Sequence, residues 1–126
     1  MEFVVPARLA IFFNNALSNR SKTMYVTHVT FNLSGIDENA YVEAVKSLAP
    51  GYAQVPGLIS KIWIKRSNVG AYGGIYCWAS KGDYENYGKS DLYKAVSTHP
   101  NLVNLNTVCY EDMPEGTSVT AGVCRF

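Results

Sequence analysis

The chain contains 126 residues with a formal net charge of +1, of which 48% are hydrophobic and 17% are charged. This length suits one domain with a real hydrophobic core and leaves little room for a second. A charge so close to zero argues against nucleic acid or an anionic membrane as a partner. Nine tyrosines and two tryptophans supply amphipathic rings, which favour interfaces and pockets where one end of the ring stays wet.

Residues 1–23 differ from the rest of the chain. The run 9–13 is apolar but far too short to cross a bilayer. Glu2 precedes the nearest cation, Arg8, and no clean small-residue cleavage site follows, so the run makes a poor signal peptide. We therefore predict a disordered N-terminal extension over residues 1–23, without a function of its own.

The three cysteines, Cys77, Cys109 and Cys124, are odd in number and lack the spacing of metal ligands. Cys77 and Cys109 lie in predicted strands, where a reduced thiol acts as a small apolar side chain. The sequence has no glycine-rich phosphate loop and no haem attachment pair. We therefore predict a reducing, cytoplasmic setting, no metal site and no bound cofactor.

The first predicted strand covers residues 24–33, which are dense in β-branched and aromatic residues. Its more apolar face is expected to pack against helices, and its other face is mixed enough to line a half-wet cavity. Alternation puts Tyr25, Thr27, Val29, Phe31 and Leu33 on the first face, and Met24, Val26, His28, Thr30 and Asn32 on the second.

A helix is predicted over residues 38–53. Asp37 is a good N-cap, since its side chain can accept from backbone donors two or three residues on. Apolar residues follow at helical spacing from Tyr41 to Tyr52. Pro50-Gly51 should kink or end this helix, because proline removes a hydrogen bond and clashes with the preceding turn.

Two strands are predicted next, over Leu58–Arg66 and residues 73–79, joined by a loop over residues 67–72. They place Trp63, Tyr76 and Trp78 on neighbouring rungs of one sheet, where the rings can form the wall of an apolar pocket. Lys61 and Lys65 flank Trp63 on its strand face. This group either shields the rim of a pocket or simply covers an edge strand.

The remaining segments complete the domain. A second helical stretch begins at a capping-box-like sequence from Ser80 to Asp83, is weakened by Gly88 and ends at Pro100. A fourth strand covers residues 102–110. We assign residues 24–112 to the domain and expect residues 113–126 to form a C-terminal tail.

The order of elements is β-α-β-β-α-β, which predicts an α+β, ferredoxin-like fold with a four-stranded antiparallel sheet and helices on one face. Val26, Ile62 or Trp63, Tyr76 and Trp78 would make the helix-free face too apolar for water, so another chain should bury it. We predict a homodimer in which two sheets face each other, a dimeric α+β barrel. Its cavity lies either between sheet and helices or between the two sheets.

Four segments carry a family resemblance over residues 24–112. They are Pro56-Gly57-Leu58, Lys61-Ile62-Trp63, Gly73-Gly74-Ile75-Tyr76 and the helical segment 84–87. The sequence resembles the monooxygenase family typified by YdhR, within the dimeric α+β barrel group that includes the antibiotic-biosynthesis monooxygenases. The resemblance implies oxidation of a small apolar or aromatic, polyketide-like substrate by molecular oxygen, without metal, flavin or haem. Pro50-Gly51 and Gly88 interrupt the helices that flank the cavity in relatives, so the pocket shape does not carry over.

We select His28, Tyr76 and Trp78 as candidate catalytic residues. His28 can act as acid or base near neutral pH; the alternative is a histidine satisfied within the sheet. Tyr76 and Trp78 could stack on a planar substrate, or they could belong to a dimer core.

The candidate substrate-binding residues are Trp63, Tyr72, Asn104 and Asn106. Tyr72 precedes Gly73-Gly74 and could gate the cavity or merely cap it. Asn104 and Asn106 could bind a ligand hydroxyl if buried, and otherwise face solvent.

Three functions are compatible with this sequence. A cofactor-independent monooxygenase is the first. A lyase, isomerase or cyclase with His28 as base and Tyr72 or Tyr76 as acid would turn over without oxygen. A non-catalytic binding module would be indifferent to His28→Ala beyond small changes in affinity.

Overall fold

The computed structural model describes residues 23–120, so Cys124 and all of the predicted N-terminal extension except Thr23 lie outside the described residues. This part of the chain contains strands β1 Tyr25–Leu33, β2 Leu58–Arg66, β3 Ala71–Trp78 and β4 Leu102–Glu111. Its helices are α1 Glu38–Ala53, α2 Lys81–Tyr87, α3 Asp91–Ser97 and α4 Pro114–Thr120. None of these helices is long and apolar enough to span a membrane.

The four strands form one sheet in the order β2-β3-β1-β4, with every neighbouring pair antiparallel. The central strands β1 and β3 are separated in sequence by α1 and β2. The predicted α+β, ferredoxin-like arrangement is therefore confirmed. Strands β2 and β4 are the edges of the sheet, so a side chain on β2 can lie at the boundary between the core and the surface.

One face of β1 packs against the helices, as its alternation predicts. Tyr25 and Val29 contact the core around Tyr52 of α1, and Phe31 and Leu33 belong to a second cluster around Tyr41 of α1. Successive side chains of a strand point to opposite faces, so the apolar residues at every second position lie on the side of these two clusters. Helix α1 therefore covers this face of the sheet.

The main core is an aromatic cluster in which Tyr52, Tyr76, Trp78 and Tyr87 are all buried. Trp78 has no exposed surface, and its Nε1–H donates to Thr27 Oγ1 at 3.1 Å. Its ring stacks on that of Tyr76, with centroids 5.9 Å apart. This hydrogen bond satisfies the one polar atom of the indole, which burial would otherwise leave unpaired.

The prediction that put Tyr76 and Trp78 on the helix-free face is wrong. Tyr76 pairs with Thr27 and Trp78 with Tyr25, and paired residues share a face, so both rings point toward the helices. Alternation within β3 shows that Tyr76 and Trp78 share a face, but not which face. That depends on the register between β3 and β1. The helix-free face is still apolar: Ile62, Ile75 and Val108 lie in line with His28 across the four strands.

The two predicted helix interruptions have different outcomes. Helix α1 continues through Pro50 to Ala53, with Tyr52 of its last turn buried at 3% exposure in the aromatic core. Burial of that ring offsets the backbone hydrogen bond that Pro50 cannot make. At Gly88, in contrast, the second helical stretch breaks into α2 and α3, and Ser90 caps the start of α3 by accepting from the Tyr93 N–H.

Three local features also differ from the prediction. A 3₁₀ turn, Ser67–Val69, occupies the first half of the predicted loop, and β3 begins at Ala71. A bulge in β4 places Asn104 at a φ of 57°, so its pairing with β1 shifts by one residue there. Helix α4 lies within the predicted C-terminal tail, and begins with Pro114, a residue favoured at a first helical position.

Candidate functional site

A small cavity lies between the sheet and the helices, and we call it the inner cavity. Its volume is about 40 Å³, which is room for a few water molecules. A similar space of about 30 Å³ lies beside it and shares Val29, Tyr76, Val96 and Leu105. The inner cavity is lined by Val29, Phe31, Tyr41, Leu48, Tyr52, Lys61, Trp63, Gly73, Gly74, Tyr76, Val96, Leu102 and Leu105.

A larger depression, which we call the outer groove, opens at the surface between α1 and the edge strand β2. Its volume is about 320 Å³, at the lower end of the range for small-molecule sites. It is lined by Ala49, Tyr52, Ala53, Leu58, Ile59, Ser60, Lys61 and Trp63. Tyr52, Lys61 and Trp63 line both spaces, so these three side chains form the wall between groove and cavity.

Lys61 places its amine among aromatic rings. Lys61 Nζ lies 3.3 Å from the ring centroid of Trp63, 3.4 Å from that of Tyr52 and 4.6 Å from that of Tyr76. The faces of such rings attract a cation, most strongly where water is excluded. Gly74 contributes to this arrangement, since a Cβ there would lie only 3.0 Å from Lys61 Cε and 3.2 Å from a Tyr76 ring carbon.

The charge state of Lys61 is unusual. Burial disfavours the ammonium ion and lowers the pKa of Lys61 to about 7. Within residues 23–120 the ion pairs are Lys46–Glu43 and Lys65–Glu38, so no described carboxylate stabilises the Lys61 ammonium. At neutral pH a large fraction of Lys61 is consequently the neutral amine, with a lone pair that can accept a proton.

The tyrosines around Lys61 remain protonated. The hydroxyl oxygens of Tyr52 and Tyr87 are 2.6 Å apart, a short hydrogen bond in the core. Burial raises the pKa of Tyr52, Tyr76 and Tyr87, and repulsion from neighbouring tyrosines adds to the effect at Tyr76 and Tyr87. These hydroxyls can donate hydrogen bonds at neutral pH, but they cannot serve as bases there.

Trp63 and Tyr76 are the two predicted site residues that line the inner cavity. The Trp63 ring packs edge-to-face against Tyr52, with centroids 5.4 Å apart. Trp78 lies behind Tyr76, fully buried. The sheet therefore brings these aromatic residues together as predicted, on the face that the helices cover.

Tyr72 occupies a different part of the core. Its ring packs against Tyr41, with centroids 5.2 Å apart, and its hydroxyl donates to Glu38 Oε1 at 3.0 Å. Glu38 also accepts hydrogen bonds from Ser67 and Lys65. These hydrogen bonds lower the pKa of Glu38, and the bond from Ser67 has the largest effect. Tyr72 thus ties β3 to the start of α1.

His28, Asn104 and Asn106 lie away from the inner cavity. His28 is half-buried and pairs with Ile75 on the helix-free face, and Asn106 pairs with Thr30 on that face. Asn104 is exposed, and its Nδ2 donates to Asn32 Oδ1 at 2.9 Å. Among residues 23–120, no group of three or more His, Cys, Asp or Glu side chains is placed to bind a metal ion.

Lys61 and Tyr52 are the residues of this site that the sequence prediction missed. The signal for Lys61 is its position two residues before Trp63 in β2, which puts both on one face. Sequence reasoning favours a rim or an exposed edge for that face, because lysine is rarely buried. For Tyr52, helical spacing indicates only a position on the core-facing side of the helix.

Comparison with known proteins gives a family and a fold. The model of the family described as "Putative mono-oxygenase ydhR" matches residues 26–123. No match was found among curated proteins. Several solved structures are similar, and because they share less than 25% of their residues with this chain, they establish the fold alone.

One similar structure is a monooxygenase from the gene ActVA-Orf6 of Streptomyces coelicolor in complex with the ligand Nanaomycin D, with 23% identity and a TM-score of 0.58. The match covers 75% of this chain and 92% of that chain. A mutant of SnoaB, a cofactor-independent oxygenase from Streptomyces nogalater, has 16% identity and a TM-score of 0.55, covering 69% of this chain and 90% of that one.

Protein SO0527 from Shewanella oneidensis has 12% identity and a TM-score of 0.61, with coverage of 73% of this chain and 93% of that chain. The element order, the sheet order and the matched segment thus agree with the resemblance seen in the sequence. Since the family model spans most of the sequence, this chain belongs to the family described as "Putative mono-oxygenase ydhR".

Proposed function

We propose that this protein is a cofactor-independent monooxygenase that oxidises a small aromatic or polyketide-like substrate with molecular oxygen, as a homodimer in the cytoplasm. The observation that carries the proposal is the wall of Tyr52, Lys61 and Trp63 between the inner cavity and the outer groove. Two ring faces and an amine at one apolar site suit a planar molecule with an acidic hydroxyl. Family membership favours the same reaction class.

The reaction needs little from the protein beyond position and electrostatics. The bound substrate loses a proton and becomes an electron-rich anion, which passes one electron to oxygen. The resulting radical and superoxide join through a new carbon–oxygen bond and, with a proton, give a hydroperoxide. Loss of water then breaks the oxygen–oxygen bond and leaves a carbonyl, so one oxygen atom enters the product and the other leaves as water.

The protein accelerates these steps by excluding water, orienting the ring and stabilising the anion. In this proposal Trp63 of β2 contacts the substrate ring, Tyr76 of β3 lies behind it beside Lys61, and Trp78 supports Tyr76 in turn. The described similarity to a cofactor-independent oxygenase and to a monooxygenase with a bound Nanaomycin D supports the choice of substrate class.

The homodimer part of the proposal rests on the helix-free face. Ile75 and Val108 keep 36% and 38% of their surface exposed, and Tyr110 keeps 48%. A contiguous apolar surface of this kind is commonly an interface, and a second copy would cover it by face-to-face packing of the two sheets. His28 lies on the same face, so His28, Asn104 and Asn106 would serve the reaction only in a chamber between the sheets.

Oxygen consumption by the purified protein tests the proposal. With anthrone as substrate we expect uptake of oxygen and formation of the quinone, and Trp63→Ala should reduce kcat/KM by about ten-fold or more, as removal of an aromatic anchor does. Absence of oxygen uptake with anthrone and with a broad panel of phenols would contradict it. Turnover that continues unchanged without oxygen would instead support a lyase, isomerase or cyclase.

A further inference from the structure

The outer groove and Lys61 together have the features of a binding site for an acidic hydroxyl. The groove of about 320 Å³ is eight-fold larger than the inner cavity of about 40 Å³, so a substrate ring would enter the groove rather than the cavity. Ala49 and Ala53 of α1 leave room beside the edge strand, and Leu58 and Ile59 supply apolar contact. Lys61 is the one ionisable amine among the lining residues of either space.

We propose that the outer groove binds a small phenol, or another ring compound with an acidic hydroxyl, and that Lys61 takes the hydroxyl proton as the catalytic base. The Lys61 Nζ lone pair forms the new N–H bond while the O–H bond of the phenol breaks. The products are an ammonium ion and a phenolate in contact, and no oxidant takes part in this step. This inference rests on the proposed oxidation, for which it supplies the anion.

The surroundings of Lys61 suit both states of the amine. Before transfer, the absence of a carboxylate partner among residues 23–120 leaves its lone pair available. After transfer, the ammonium lies against the faces of Tyr52 and Trp63, at 3.4 and 3.3 Å. The net charge of the site stays the same, so no unbalanced charge is created in the apolar wall.

The other titratable groups facing this site cannot take the proton. They are Tyr52 of α1, Tyr76 of β3 and Tyr41 of α1, and burial raises the pKa of each. Lys65, on the same strand face as Lys61, is exposed and paired with Glu38 at 3.1 Å. Lys65 therefore offers a matched control: the same side chain on the same strand, without the aromatic site.

The acidity of the phenol decides whether its proton moves to Lys61. Transfer from a phenol of pKa about 10 to an amine of pKa about 7 is unfavourable by a factor of about a thousand. Attraction between the two ions at about 4 Å in a partly buried site restores a factor of similar size. The groove should therefore select phenols more acidic than tyrosine, such as polycyclic or carbonyl-conjugated hydroxyaromatics.

The test uses para-nitrophenol, whose phenolate absorbs visible light, and requires no oxygen. Bound to the wild type or to Lys65→Met, its ionisation midpoint should fall by at least about one pH unit, a ten-fold gain in acidity. Bound to Lys61→Met, the midpoint should not fall. Circular dichroism of each variant verifies that the fold is retained.

A second measurement separates a base from a fixed cation. At about pH 8, where Lys61 is mainly neutral, binding of the phenolate should take up nearly one proton in the wild type, measured by calorimetry in buffers of different ionisation heat. Lys61→Arg should take up none, because arginine is always charged. Equal proton uptake by Lys61→Arg, a midpoint lowered in Lys61→Met as far as in the wild type, or no binding by the wild type would each overturn the inference.

These outcomes are independent of the oxidation itself. If para-nitrophenol ionises as expected but anthrone consumes no oxygen, the proposed monooxygenase reaction fails and the phenol site remains. If oxygen is consumed equally by the wild type and Lys61→Met, the reaction remains and Lys61 is not its base.

Discussion

Lys61 Nζ lies 3.3 Å from the centre of the Trp63 ring, and both side chains come from the edge strand β2, two residues apart. A lysine on an edge strand can usually extend into solvent. This one turns inward, because alternation places it with Trp63 on the helix-covered face and Gly74 on β3 leaves space for its stem. The consequence is a half-buried amine beside a groove.

The depressed pKa of Lys61 should make the stability of the fold depend on pH. The unfolded chain keeps this proton up to about pH 10 and the folded protein releases it near pH 7, so the unfolded state binds more protons in between. The free energy of unfolding should therefore rise with pH from about 7 to 10, by at most ~1.4 kcal/mol per pH unit. Residual exposure of the side chain reduces this slope.

Urea denaturation of the wild type and Lys61→Met at several pH values measures the effect. The free energy of unfolding of the wild type should rise relative to that of Lys61→Met as the pH rises, since Lys61→Met lacks the proton-linked contribution, whereas Lys65→Met should run parallel to the wild type. A constant difference between the wild type and Lys61→Met from pH 7 to 10 would show that Lys61 titrates normally. Above about pH 10, the raised pKa values of Tyr52, Tyr76 and Tyr87 should reverse the trend.

Thr27→Val should destabilise the protein by about 1–3 kcal/mol. The substitution keeps the shape of the side chain but removes the acceptor of the Trp78 indole N–H, and both residues are almost fully buried. Thermal unfolding gives the size of the effect. In the background Trp78→Phe, which has no N–H, Thr27→Val should cost clearly less; an equal cost in both backgrounds would assign the effect to packing.

Gly73→Ala should prevent the sheet from forming in its present register. A Cβ at Gly73 would lie 1.8 Å from the Val29 carbonyl oxygen on the neighbouring strand, and backbone cannot move aside as a flexible side chain can. We expect loss of soluble folded protein or a loss of several kcal/mol of stability. Recovery of a variant with wild-type stability would contradict this close approach.

Gly51→Ala is the matched control for that substitution, since a Cβ at Gly51 meets nothing within 4 Å. Gly51 lies inside α1, where alanine is favoured over glycine by about 1 kcal/mol. This variant should unfold at a higher temperature than the wild type. The two glycine substitutions should thus have opposite signs.

Ile75→Lys tests the proposed homodimer. A lysine at the centre of the helix-free face would be buried without a partner if a second copy covers it, and dimer affinity should fall by about 100-fold or more. Analytical ultracentrifugation over a range of concentrations measures this change. Val69→Lys, at an exposed position in the 3₁₀ turn, should leave assembly unchanged; a wild-type protein that remains a monomer would rule the dimer out.

The sequence predicted the architecture well, because the fold depends on periodicity that local residues display. Alternation in β1 identified the helix-facing residues, and Asp37 and Ser80 identified the starts of two helices, where both side chains cap the backbone in the structure. The continuation of α1 through Pro50 was harder to predict. The burial of Tyr52 that offsets the lost backbone hydrogen bond depends on residues distant in the sequence.

The site was predicted in part. Trp63 and Tyr76 do line one cavity, because a short connection between β2 and β3 restricts how these strands can pair. The side of the sheet on which they lie depends on the β1–β3 register, which alternation alone does not specify. The inward position of Lys61 depends on the same register. The separation of His28 from the wall of Tyr52, Lys61 and Trp63 depends on it as well.

The carboxylate of Glu38 has a further consequence for how the molecule tolerates change. It accepts hydrogen bonds from Lys65, Ser67 and Tyr72, so the first turn of α1 fastens both arms and the tip of the β2–β3 hairpin. Peptide grafts are usually well tolerated at exposed hairpin tips. Here a graft between residues 67 and 71 would break the hydrogen bonds that tie the first turn of α1 to the hairpin, which makes this tip a poor choice for tags or fusions despite its accessibility.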